Sequence, residues 1–96
     1  MDTLRWCFLV KSGNVSPEVR RRRLAAELRR LRGEKGLKTT EVASQLGWSP
    51  SKVSRYELAR TGLKPSDVRV MLAFYGVEAH RQNDLVALAV EASERG

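Results

Sequence analysis

Side chains able to do covalent chemistry are few in this sequence and far apart. Cys7 is the single cysteine and His80 the single histidine. A lone thiol can neither close an internal disulfide nor share a metal with a second thiol, which fits a reducing, cytoplasmic setting. His80 stands alone near the start of the last helical segment, without the convergent partners that a metal site or an acid–base pair needs. No serine or cysteine has a paired base, and no glycine-rich loop is built to cradle phosphate. An enzyme is therefore the least favoured class, and no cofactor or metal is expected. What the chain has in excess is cations. Eighteen Lys and Arg stand against eleven Asp and Glu, a formal charge of +7 on 96 residues, with an isoelectric point near 10.3. So large an excess on so small a body makes a polyanion the expected partner, with nucleic acid ahead of a membrane surface.

The elements that must position these cations read as helices. Residues 1–15 carry no sustained period and end in Ser12-Gly13-Asn14, which reads as a poorly ordered tail and linker ahead of a single domain over 16–96. Within the tail, Trp6-Cys7-Phe8-Leu9-Val10 is shorter than the apolar core of a signal peptide and lacks a small-residue cleavage site. No run approaches the ~20 apolar residues of a membrane span. Ser16-Pro17-Glu18 reads as an N-cap, a proline at the first helical position and a first-turn acid. Leu24, Leu28 and Leu31 follow at helical spacing, with Gly36 as a left-handed stop, predicting a first helix over 17–35. Val42, Ala43 and Leu46 mark a short second helix that starts near Thr39 and stops at Gly47. Ser49-Pro50 repeats the cap-and-proline signature for a third helix over 50–58, carried by Val53 and Tyr56. Pro65 opens a fourth with Val68, Leu72 and Tyr75 on one face, stopped by Gly76. A fifth, from Ala79 to about Ser93, is set by Leu85, Leu88, Ala89 and Ala92. No stretch alternates with period two, so the fold class is all-α.

Only Gly47-Trp48-Ser49 separates the second and third helices. Two short helices in such close contact need a small residue at the approach, and Ala43 is there. The turn needs a residue tolerant of positive φ, and Gly47 supplies it. Val42, Leu46, Trp48, Val53 and Tyr56 then fill the wedge, with Trp48 as a core plug rather than a stacking platform. Ser51, Lys52 and Arg55 fall on the side opposite Val53 and Tyr56.

The stretch from Thr39 to Glu57 (TTEVASQLGWSPSKVSRYE) resembles the helix-turn-helix of Cro/phage-repressor (XRE family) regulators. More narrowly, the arginine-rich first helix, the segment Gly47 to Arg55, and Asp67-Val68-Arg69 through Tyr75-Gly76-Val77 are similar to an actinobacterial branch of that family. The likeness covers residues 16 to about 92, with the motif core at 39–58. It implies a five-helix, phage-repressor-like DNA-binding domain with its helix-turn-helix at helices two and three. It further implies a structural ion pair between Arg32 and Glu57, base contacts from Ser51, Lys52, Ser54 and Arg55, and phosphate contacts at Lys38, Thr39 and Ser49. Arg60 and Lys64 are weaker phosphate candidates. The chain departs from the family in two places. Lys38 stands where relatives often carry a threonine cap, and Leu58-Ala59-Arg60-Thr61-Gly62 lacks the glycine often found directly after the recognition helix.

The function that the resemblance implies is a sequence-specific, double-stranded DNA-binding transcriptional regulator, a homodimer on a palindromic operator. The apolar excess of Val86 and Val90 beside Leu85 and Leu88 suggests a spare face on the fifth helix. The rival reading is an antitoxin-like or anti-regulator module that holds a protein partner through this C-terminal helix and uses DNA binding for autoregulation. RNA is less favoured, for want of exposed aromatic platforms. Arg20-Arg21-Arg22-Arg23, with Arg29 and Arg30, point around their helix and read mainly as a solvated basic face.

Overall fold

Helix starts in this chain are written by short local signals. A computed structural model describes residues 16–94 and contains five helices: α1 (Pro17–Glu34), α2 (Thr39–Leu46), α3 (Pro50–Glu57), α4 (Pro65–Phe74) and α5 (Ala79–Glu94). No strand occurs among the described residues. The tail over 1–15, with Trp6 and Cys7, lies outside them. Proline opens α1, α3 and α4, where its missing N–H costs nothing and its fixed φ suits a helix. Ser16 Oγ accepts from the Val19 N–H at 3.2 Å, and Ser49 Oγ accepts from the Lys52 N–H at 3.1 Å. Lys38 and Lys64 occupy the cap positions of α2 and α4 without a side-chain cap bond, since an ammonium has no lone pair to offer. At α2 the loss is partly made good by Glu41, whose carboxylate accepts from the Lys38 N–H at 2.7 Å.

The ends of α1 to α4 follow one pattern with one exception. Gly47, at φ 73°, turns the chain out of α2, and the next N–H, of Trp48, reaches back to the Ala43 carbonyl at 2.9 Å. Gly36 and Gly76 close α1 and α4 in the same way, with Leu37 bonding Arg32 and Val77 bonding Leu72. In each case the residue after the glycine is apolar and packs against the core. At the end of α3, Ala59 takes the left-handed position at φ 56°, and Arg60 bonds the Arg55 carbonyl at 3.0 Å. The first and third helices stop one residue short of the expected 17–35 and 50–58, because Lys35 and Leu58 serve as their caps.

Packing brings the five elements onto one core. α5 lies along both α1 and α4, α2 and α3 pack on each other, and α3 also touches α1. Leu24, Leu28 and Leu31 of α1, Val68 and Leu72 of α4, and Leu85 and Leu88 of α5 meet Val42 and Val53 in the interior. The expectation of a spare face on α5 needs correction. Val86 is buried in this core, leaving Val90 as the exposed member of the four residues that suggested it. The reason is that α5 is flanked on two sides, so a wider apolar stripe is consumed than one contact would need. Ion pairs lace the ends of this packing: Arg20 lies 3.3 Å from Glu91, and Arg81 2.5 Å from Glu27. Arg22 reaches Glu18 at 2.8 Å, so the arginine run is partly spent on intramolecular pairs.

Candidate nucleic-acid interface

The geometry of α3 begins with the small residue before it. Ala43 is buried in the core with Val42 and Val53, so a larger side chain there would have to displace packed neighbours. Leu46 and Trp48 are partly buried against the same core, with Trp48 meeting the Tyr56 ring edge-on at 6.1 Å and 89°. The wedge is thus closed by Trp48 on one side and by aliphatic side chains on the other.

The far end of α3 is tied to α1. Glu57 is 4% exposed, and both its oxygens accept from the Arg32 Nε, at 3.1 and 2.8 Å. Arg32 Nη1 donates to the Leu37 carbonyl at 2.8 Å, inside the turn that closes α1. The hydrogen bond to Glu57 holds the Arg32 guanidinium above its ordinary pKa, against the opposing pull of burial. A second tie runs to α4. Tyr56 donates its hydroxyl to Asp67 Oδ2 at 2.6 Å, and Lys52 Nζ lies 3.2 Å from the same oxygen. Burial, then the bond to Asp67, pushes the Tyr56 hydroxyl up to about 12. Burial also pushes Asp67 upward, but the donations from Tyr56 and Lys52 outweigh it and hold the carboxyl below its usual value.

Between these ties, the outer side of α3 is polar and open. Ser51 and Arg55 are exposed and linked, with Arg55 Nη1 donating to Ser51 Oγ at 3.1 Å. Ser54 is half-buried beside them. The family model described as helix-turn-helix domain matches residues 23–85. The chain belongs to the helix-turn-helix domain family. No curated protein and no solved structure matches it.

The helix-turn-helix match runs from α1 into α5, so it takes in both helices of the motif and the scaffold that holds them. DNA is the partner that a helix-turn-helix domain implies, and α3 is the second helix of the motif. Of the four expected base-contact residues, the structure groups Ser51, Ser54 and Arg55 on the open side. Lys52 is turned aside: its ammonium sits 4.1 Å from the centre of the Trp48 ring and pairs with Asp67. Among the expected phosphate contacts, Lys38, Ser49, Arg60 and Lys64 are exposed and Thr39 is half-buried. Lys38 and Thr39 lie at the amino end of α2, and Ser49 at that of α3, where unpaired N–H groups and the helix dipole favour an anion. Arg22 and Arg29 line a shallow cleft of about 220 Å³ with Leu58 and Ala59, beside the exit of α3. Asp67, which ties α3 to α4 through Tyr56 and Lys52, was not among the expected residues. A first-turn acid after Pro65 reads as a helix start, and nothing in its spacing announces partners on another helix. Among the described residues no group of His, Cys, Asp and Glu could hold a metal, and no helix is long and apolar enough to cross a membrane.

Proposed function

We propose that this chain is a sequence-specific, double-stranded DNA-binding transcriptional regulator of the Cro/phage-repressor (XRE) type, of the actinobacterial branch. The observation that carries the reading is the pairing of an exposed Ser51–Arg55 face with a recognition helix clamped at its far end by Arg32–Glu57. A guanidinium held on a rigid helix suits the O6 and N7 acceptors of guanine in the major groove, and Ser51 and Ser54 add less selective contacts. Lys52, expected beside them, rests on Asp67 in the free protein and lies to one side of this base-reading set. Lys38, Thr39 and Ser49, with Arg60 and Lys64 as outer contacts, hold the phosphates that flank the groove. So few base contacts favour a homodimer on a palindromic operator, since a second half-site roughly doubles the readable surface.

Binding-site selection from random duplexes at moderate salt tests the proposal. Expected is one enriched sequence, two-fold symmetric if the dimer is correct. Arg55→Ala should relax the preference at one position per half-site and lower affinity by about 1–3 kcal/mol. Recovery of no enriched sequence, or full discrimination by Arg55→Ala, would overturn the assignment of base reading to α3.

A further inference from the structure

Lys52 and Asp67 face each other across the seam between the recognition helix and α4. The two members are held very differently. Asp67 Oδ2 is anchored by the hydroxyl of the buried Tyr56 at 2.6 Å, a bond that does not involve Lys52. The lysine side chain is 31% exposed, and its ammonium, 4.1 Å from the centre of the Trp48 ring, is carried on a flexible four-carbon stem that lets it swing away. The oxygen that Asp67 presents, a fixed and charged acceptor 3.2 Å from Nζ, has the chemistry of a phosphate oxygen. A partly exposed pair of this kind is weak enough to be exchanged for another anion. The neighbouring turn is where a duplex backbone passes if α3 occupies the major groove, because Ser49 caps that end.

We infer that Asp67 is a positioning residue that competes with DNA for Lys52: the ammonium rests on Asp67 in the free protein and passes to a backbone phosphate on the duplex. The inference rests on the DNA reading of α3. It assigns Asp67 a purpose apart from holding α4, which is to lower the affinity for arbitrary duplex. Each non-specific encounter must break an ion pair to gain a phosphate contact, so random sequence is held less firmly than the basic surface alone would hold it.

The test measures affinity for a random-sequence duplex over a range of salt, with thermal unfolding of every variant followed by circular dichroism. Lys52→Gln keeps a polar side chain at this position and removes the charge, so the slope of log K against log salt should become shallower by about 0.9, one phosphate contact. Asp67→Asn keeps an oxygen for Tyr56 and should bind about two- to fivefold more tightly, with the slope unchanged. In the Lys52→Gln background the same Asp67→Asn change should have no effect beyond that of Glu78→Gln, an exposed control for net charge. If Lys52→Gln leaves the slope untouched, Lys52 stays on Asp67 and the exchange is refuted. An equal gain from Asp67→Asn with and without Lys52 also refutes it, leaving a field effect. If the unmodified chain binds no duplex in a salt-dependent way, the DNA reading itself fails and takes the exchange with it.

Discussion

Helix α3 is entered through Gly47 and left through Ala59, and the two turns share one hydrogen-bonded form. In both, a left-handed residue is followed by an N–H that reaches back to the last turn of the helix, from Trp48 to Ala43 and from Arg60 to Arg55. Their residues differ at each key place. The entry uses a glycine, an apolar Trp48 packed on the core, and a Ser49-Pro50 start for the next helix. The exit uses an alanine at φ 56° followed by an exposed arginine. A left-handed alanine costs on the order of 1 kcal/mol and persists only where the surroundings over-determine it. Here they do so from both sides: Glu57 is held by Arg32 of α1, and Tyr56 by Asp67 of α4. The entry is thus set by local chemistry, and the exit by tertiary contacts.

Three experiments bear on this contrast, from the largest expected effect down. Arg32→Met strands the Glu57 carboxylate in the interior and should lower the unfolding free energy by about 3–5 kcal/mol in denaturant titration. Adding Glu57→Gln should restore part of that loss, because the stranded charge is gone. A cost below about 1 kcal/mol for Arg32→Met would break the claim that the exit is clamped.

The second experiment is alkaline titration of stability. Tyr56 and Tyr75 are both raised to about 12 by burial, Tyr56 further by Asp67 and Tyr75 by Glu57. The unfolded chain ionises its tyrosines near 10 while the fold keeps them protonated, so their contribution is whole below pH 10 and is lost as the pH rises through 12. Each tyrosine accounts for a decline on the order of 2–3 kcal/mol across that window. Tyr56→Phe should make the decline shallower and cost about 1 kcal/mol at neutral pH, through the lost bond to Asp67. An unchanged alkaline slope in this variant would remove Tyr56 from the clamp.

The smallest effect comes from exchanging the two turn residues. A Cβ added at Gly47 meets nothing within 4 Å, so Gly47→Ala isolates the backbone strain at φ 73° and should cost roughly 1 kcal/mol. Ala59→Gly relieves the same strain but adds freedom to the unfolded chain, so the net gain should be up to about 1 kcal/mol. Opposite signs in thermal unfolding sharpen the contrast, and a destabilised Ala59→Gly would overturn it.

Much of the fold was legible because it is written locally. Ser-Pro pairs begin helices, glycine followed by an apolar residue ends them, and leucines at spacings of four and three bury one face of α1. The close approach at Ala43 and the opening at Gly47 could be inferred for the same reason, since each is a steric condition on one residue. The Arg32–Glu57 pair was suggested by resemblance, not by spacing, for its members stand far apart in the chain. Helical position alone did not place Lys52. By helical position it belongs with Ser51 and Arg55, yet a carboxylate from α4 draws its ammonium to the seam. The arginine run reads mainly as a solvated basic face, and its sequence does not show that Glu18 and Glu91 pair with part of it.

From its residues alone, this chain determined five helices, where three of them stop, and a basic surface suited to a polyanion. These depend on backbone sterics, helical period and net charge, which act within a few residues or over the whole body. Tertiary structure decided which cations remain available, how the exit of α3 is held in a left-handed alanine, and how much of α5 stays exposed. Those outcomes depend on contacts between helices, and a charge's partner on another helix leaves no mark in the spacing of its own.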